Sequence, residues 1–239
     1  MCFTVNVNLV KEELEKRYGR DFIDHEKYRP SYYYHAFSLP YLPVITSSHI
    51  ETMQWGLIPS WVRDAASAEE IRKKTFNARS ETIDVKPSFA ESFRSGRCIV
   101  PVSGFYEWQM SGMVRLPWYI TSTAGTIMSL GGLWSEWYDR NAGIACRTFS
   151  IVTTEANLMM AGIHNTKKRM PLVLLDDGID SWLKDDTPAD YLKKMMVPLP
   201  EGLLSAHTIG PLISKRDIDK NRPEIIEPYK YDVPGTLFD

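Results

Sequence analysis

The stretch that decides the fold is RCIVPVSGFYEWQ, residues 97–109. It reads as an apolar strand that Gly104 interrupts just before Phe105-Tyr106-Glu107-Trp108. Strands continue downstream through Trp118–Thr121, through Thr126–Trp134 with a break at Gly131-Gly132, and through Phe149–Thr153. Upstream, Ser38 to Ile45 runs into a strand, and Met53 to Pro59 follows with a turn before Trp61. Short helices fill the gaps. Asn8 is expected to cap one that carries Val10, Leu14 and Tyr18 on one face and ends at Gly19. Ser67 with Glu70, and Ser88 with Glu91, have capping-box spacing for two more. Thr154-Glu155 opens a fourth, which carries Leu158, Met159 and Ile163 and delivers His164. Leu172–Leu175 is a further apolar strand, Asp177–Lys184 and Pro188–Met195 read as short helices, and His207–Ile209 as a late strand. Residues 20–35 form a polar, Tyr-rich excursion without periodicity. With no internal repeat and no linker, the economical reading is one α+β domain over residues 1–239, built of antiparallel strands with short helices between them.

Bulk composition narrows the function. Hydrophobic residues are 44% and charged residues 24% of the 239, the balance of a globular chain with a substantial core. No apolar run reaches the length of a membrane span, and MCFTVNVN is too polar for a signal peptide, so a cytoplasmic protein is expected. The net charge of −2 argues against coating duplex DNA by charge alone, so any nucleic-acid site must be local. Cys2, Cys98 and Cys146 are odd in number and widely separated. Neither a disulfide framework nor a zinc site is expected, and no cofactor is called for.

Chemistry concentrates at Met1-Cys2. Removal of Met1 would leave Cys2 with an α-amine and a thiol on adjacent carbons. An aldehyde first condenses with the amine to an imine, and the tethered thiol then closes a five-membered thiazolidine. The reference pKa values, about 7.7–8.0 for the amine and about 8.5 for the thiol, make both nucleophilic forms accessible near neutrality. A lone cysteine is equally a small buried hydrophobe, so the rest of the chain must supply the context. Glu107 sits among aromatics, where desolvation would raise its pKa and make it a proton donor; simple strand alternation would instead turn it to solvent. His164 at a helix end is either an acid/base group or a polar cap. Asn77 and Arg79, two apart, share a face if extended, offering an amide beside a phosphate-binding fork.

These pieces resemble one family. Cys2 after the initiator, WGLIPSW at 55–61, FNARSET at 76–82, RCIVPVSGFYEW at 97–108 and His164 followed by Arg169-Met170-Pro171 are similar, in order and over nearly the whole chain, to the SRAP family of SOS-response-associated proteins. The resemblance implies a single SRAP-like domain with a mostly antiparallel, barrel-like β core and short flanking helices. It implies a monomer that captures the ring-opened sugar aldehyde of abasic sites in single-stranded DNA through Cys2, a lyase-like activity forming a DNA–protein crosslink, and an association with the nucleoid. In that scheme Asn77 holds the linkage, Glu107 assists ring opening and proton transfer, and His164 shuttles a proton and favours reversal. DNA contacts fall to Arg79, Arg169 and Lys168 at phosphates, and to Pro40, Trp55 and Trp61 as wedge or stacking platform, a role aromatic faces fill well. For Trp55 and Trp61 a core role is the competing reading.

The chain departs from the family pattern at Phe3-Thr4, in the longer connection between His164 and Arg169, and in the excursion at 20–35. Two other functions fit the same residue types. One is a cysteine peptidase or autoprotease with Cys2 as nucleophile and His164 as base. The other is a plain single-strand binding module in which Cys2 is incidental.

Overall fold

The stretch 97–109 proves to be two strands in two different sheets, joined at Ser103. The structure, a computed structural model, describes residues 2–232. Along these the order is β1 (Thr4–Val7), α1 (Lys11–Tyr18), β2 (Ser31–His35), β3 (Tyr41–Ile45), β4 (Ile50–Trp55), α2 (Ala65–Arg72), β5 (Asn77–Arg79), α3 (Ala90–Ser95), β6 (Arg97–Val102) and β7 (Gly104–Ser111). There follow β8 (Val114–Ser122), β9 (Met128–Asp139), β10 (Ile144–Glu155), α4 (Leu158–Ile163), β11 (Arg169–Pro171), β12 (Val173–Leu174), α5 (Asp176–Leu183), α6 (Ala189–Met195) and β13 (Leu204–Thr208).

Strands β10, β4, β3, β6 and β9 pair in that order, and β9 pairs back to β10, closing a five-stranded barrel. Every pair in it is antiparallel except β4 with β10, where Thr148 lies beside Gln54. Strand β5 adds to β10 in parallel, with Asn77 beside Ile151. The second sheet, β13-β8-β7-β1-β2, is antiparallel throughout. Chain direction changes sheet at Gly104. A Cβ there would lie 2.4 Å from the Tyr119 ring, so only glycine lets β7 pass so close to β8. The main core cluster joins both sheets through Val5, Phe105, Trp55, Phe149 and Ile151. A smaller cluster of Tyr106, Tyr119, Ile209, Ile213 and Ile225 packs on the other side of β7 and β8.

Several local expectations need correction, mostly at helix starts. Asn8 does not cap α1: the first residue before the helix is Val10, whose N–H is accepted by the Glu13 carboxylate at 2.9 Å. Helix α2 begins at Ala65, because Asp64 accepts the Ser67 N–H at 2.8 Å. Ser67 is therefore inside the helix rather than ahead of it. Ser88 likewise does not cap α3, which starts at Ala90 after Phe89. Thr154 stays in β10 opposite Met170, and Asn157 caps α4 by accepting the Met160 N–H at 2.9 Å. Gly131 and Gly132 do not break β9. At Gly132 a Cβ would lie 3.0 Å from the Cys98 sulfur and 3.1 Å from the Ser150 carbonyl, so these glycines admit close neighbours within a continuous strand. The excursion at 20–35 contains β2, the edge strand beside β1.

Candidate active site around Cys2

Cys2 precedes a strand that is held from both sides. Val5 pairs with Tyr34 of β2 and with Phe105 of β7, and the Phe3 carbonyl accepts the Ala36 N–H at 2.8 Å. The Cys2 carbonyl accepts a hydrogen bond from Asn77 Nδ2 at 2.9 Å. Cys2 itself is fully buried, and burial, reinforced by the charge of nearby Glu107, pushes its thiol well above the usual range. The resting sulfur is thus a neutral thiol that must pass its proton to a neighbour to act as a nucleophile.

Glu107 is the carboxyl whose charge acts on that thiol. Strand alternation left it the option of facing solvent, yet it is only 5% exposed, because β7 is covered on both faces. Burial raises its carboxyl to about 7, which poises it to donate or accept a proton near neutral pH. His164 faces it, with Nε2 3.9 Å from Oε2, beyond a direct hydrogen bond but within one short movement of it. The imidazole Nδ1 contacts the Arg169 carbonyl at 2.9 Å. A carbonyl only accepts, so Nδ1 carries the proton and neutral His164 turns the Nε2 lone pair toward Glu107. Burial depresses the His164 pKa and favours that neutral form. The connection after His164 is pinned to β7 by paired contacts: Asn165 accepts the Met110 N–H at 3.1 Å and donates to the Met110 carbonyl at 2.8 Å.

Around this centre lies a cavity of about 580 Å³, whose wall includes Phe3, Thr4, Glu107 and His164. Two buried polar atoms beside Cys2, Asn77 Oδ1 and Thr4 Oγ1, have no hydrogen-bond partner among the described residues. A buried polar atom without a partner costs about 1–3 kcal/mol, and in a site it is one a ligand can satisfy. Among the described residues no His, Cys, Asp and Glu cluster has a metal-holding arrangement.

The structure brings Cys2, Asn77, Glu107 and His164 together and distributes the other expected residues differently. Arg79 is exposed at the end of β5. Arg169 is turned inward: its guanidinium pairs with Glu81 and donates to the Thr153 carbonyl at 2.6 Å and to Thr153 Oγ1 at 3.1 Å. It offers no open fork to a phosphate, and its work here is to place the carbonyl that orients His164. Lys168 is exposed and adopts φ 49°, in the left-handed region, but it is its neighbour Lys167 that lines the cavity. Trp55 is fully buried, its indole N–H donating to the Phe76 carbonyl at 2.9 Å and its ring stacked on Phe149 at 5.8 Å. No face is left for a base, so Trp55 is a core residue. Trp61 is 52% exposed with its N–H on the Pro87 carbonyl, outside the cavity wall. Pro40 is half-buried, next to Leu39, and also outside that wall. Sequence reasoning missed Tyr33, His35, Arg115 and Lys220, which line the cavity together with Lys167, one of the lysines of the longer His164–Arg169 connection that favour phosphate. The alternation of SYYYH at 31–35 was the available signal for the first two.

A closed mixed barrel thus brings a cysteine, an asparagine, a glutamate and a histidine together at the head of β1. The family model described as SOS response associated peptidase (SRAP) matches residues 1–216, and the chain belongs to that family. Among its relatives, abasic site processing protein YoqW of Bacillus subtilis (strain 168) is 33% identical over 211 residues, covering 86% of this chain and 89% of its own. Abasic site processing protein HMCES of Xenopus tropicalis is 28% identical over 233 residues, covering 84% of this chain and 67% of its own. A crystal structure of a protein from Bacteroides thetaiotaomicron is 35% identical and superposes with a TM-score of 0.91 over 96% of this chain and 100% of that one.

Proposed function

We propose that the protein captures abasic sites in single-stranded DNA covalently, through a thiazolidine formed by Cys2. The observation that carries this reading is the convergence on Cys2 of a carbonyl-holding amide, Asn77, and a buried carboxyl with its pKa near neutrality, Glu107. The relatives named abasic site processing proteins support the DNA lesion as substrate.

The chemistry follows from these groups. Removal of Met1 exposes the Cys2 α-amine. Protonated Glu107 donates to the sugar ring oxygen as the C1′–O bond of the hemiacetal breaks, and the C1′ hydroxyl gives its proton to solvent water, releasing the C1′ aldehyde. The free amine attacks C1′, and loss of water leaves an imine. The Cys2 sulfur then adds to the imine carbon while its proton reaches the former imine nitrogen, with Glu107 as carrier, and the five-membered ring closes. Asn77 Nδ2 holds the Cys2 carbonyl so that amine and thiol stay positioned for one carbon, a constraint that replaces a bimolecular encounter with an intramolecular one. His164, through Nε2, returns a proton to the ring nitrogen or sulfur when the adduct reopens. Exposed Arg79 contacts a strand phosphate. The protein then acts wherever single strands are exposed, on the nucleoid in the cytoplasm.

The test mixes purified protein with a single-stranded oligonucleotide bearing one abasic site and resolves the products on a denaturing gel. Covalent capture gives a shifted band without added reductant, absent with an intact strand and with protein that retains Met1. Cys2→Ser should give a band only after borohydride trapping of the imine. A parent band that itself requires borohydride would show that the sulfur closes no ring, and peptide cleavage without DNA would favour the peptidase reading.

A further inference from the structure

Three cations share the cavity wall with Glu107 and His164: Arg115 of β8, Lys167 of the connection after α4, and Lys220 of the segment after β13. None of them makes an ion pair with a carboxylate among the described residues. Two are instead seated on rings. The Arg115 guanidinium lies 5.7 Å from the Trp108 ring centre, and Lys220 Nζ lies 4.7 Å from that of Tyr33. Such contacts fix a cation in place without neutralising it. Thr166 and Ser214 add hydroxyls to the same wall. Glu107 is the one carboxyl that lines it, and burial keeps that group partly protonated near neutrality. The cavity is therefore cationic on a chain whose net charge is −2, and concave, unpaired positive charge attracts anions strongly.

Lys167 belongs to the long connection between His164 and Arg169, and Lys220 lies beyond residue 216, where the family match ends. The segment that carries Lys220 is anchored. The Asn221 side chain accepts the N–H of Tyr32 at 3.1 Å, His207 Nε2 donates to the Ile226 carbonyl at 2.8 Å, and Ile225 is buried in the cluster against β7 and β8.

Resting on the DNA reading above, we infer that Arg115, Lys167 and Lys220 form a phosphodiester-binding wall that grips the DNA backbone beside the captured sugar, at a linkage distinct from the one Arg79 contacts. Arg79 stands on β5 and takes no part in the cavity wall. The wall adds a second grip on the strand, so the lesion is held from two phosphates rather than one.

Single-stranded abasic oligonucleotides in which each neighbouring linkage in turn is a neutral methylphosphonate test this. The parent, Lys167→Gln/Lys220→Gln and Arg79→Ala are compared for half-saturation, for salt dependence, and for covalent yield at saturating strand. One linkage should weaken parent binding about fivefold or more when neutralised. The double variant should be weakened on the normal backbone, lose nothing further at that linkage, and show a log–log salt slope shallower by about 1.4. Arg79→Ala should remain sensitive to it. A double variant with the parent's slope and affinity, or with the parent's full sensitivity at every linkage, overturns the wall. A parent that binds intact strand with the expected slopes but forms no crosslink instead overturns the Cys2 reading and leaves the wall standing.

Discussion

Nε2 of His164 and Oε2 of Glu107 face each other across 3.9 Å, while Nδ1 of the same imidazole is held at 2.9 Å from the Arg169 carbonyl. One ring nitrogen is thereby committed to structure and the other to the carboxyl. Two titratable groups with opposite shifts, the acid raised and the base lowered, meet at the wall of one cavity. That divergence is how a site holds a proton donor and a proton acceptor side by side near neutral pH.

Crosslink formation should follow a bell-shaped pH profile. The amine must be unprotonated, so the rate falls below its pKa of about 7.7–8.0. The acid must be protonated, so the rate also falls above the Glu107 value of about 7. The maximum lies between these limits. Glu107→Gln should lower the peak rate about 100-fold or more and remove the alkaline limb, measured by quenched-gel kinetics from pH 5.5 to 9. An unchanged alkaline limb would assign that limb to another group.

The same carboxyl affects stability. Its folded value, about 7, lies above the ordinary glutamate value of 4.5, so its contribution is fully present below the unfolded pKa and is lost as pH rises through 7. Glu107→Gln, neutral at every pH, should therefore gain on the parent between pH 4 and pH 8, by up to about 3 kcal/mol. Denaturant melts at the two pH values measure it, and a constant difference between the two proteins would contradict the buried carboxylate.

His164→Ala should slow release of the adduct more than its formation, by about tenfold or more. Parent release should speed up as pH falls toward the depressed His164 pKa, and the variant should lose that dependence. A chase with excess competing abasic strand at several pH values reads both. Equal half-lives and equal pH profiles would leave the imidazole only its role as a helix cap.

Asn77→Ala removes the amide that holds the Cys2 carbonyl at 2.9 Å. Loss of a buried hydrogen bond costs about 1–3 kcal/mol, and ring closure should slow by about tenfold as amine and thiol lose their shared alignment. Rapid-quench kinetics with and without borohydride should show imine accumulating ahead of the stable adduct. A variant that closes the ring at the parent rate would make the contact incidental.

The two arginines should separate cleanly. Arg79→Ala should reduce the salt slope of single-strand binding by about 0.7 and leave the melting temperature unchanged. Arg169→Ala should leave the slope alone and lower stability by about 1–3 kcal/mol, since its guanidinium is bonded to Glu81 and Thr153. A changed slope in Arg169→Ala would return that residue to the DNA interface.

What could be read from the chain was decided by how local the signal is. The extended character of 97–109, though not its division between two sheets, the His164 that ends α4, and the extended Asn77–Arg79 segment each declare themselves within a few residues. Helix starts were misplaced where a stronger capping group stood a few residues away: Asp64 ahead of Ser67, and Asn157 after Thr154. The barrel-like core came from the family resemblance and is borne out; periodicity alone did not reveal its closure, because the parallel pairing of β4 with β10 joins segments some ninety residues apart and leaves no periodic trace in either. The inward turn of Arg169 depends on Glu81 and Thr153, and the burial of Trp55 on Phe149. Neither could be told from composition around the residue itself. Lys220 reaches the cavity only because the segment after β13 folds back across the second sheet.

The burial of β1 between β2 and β7 has a consequence for the timing of maturation. Val5 hydrogen-bonds in register with Phe105, a partner translated long after it, so the strand stays undocked while the nascent polypeptide grows on the ribosome. During that interval the first peptide bond is open to an aminopeptidase. Once β7 emerges and the strand is sealed into the sheet, Cys2 is fully buried. On the covalent-capture reading, removal of Met1 must therefore precede the docking of β1.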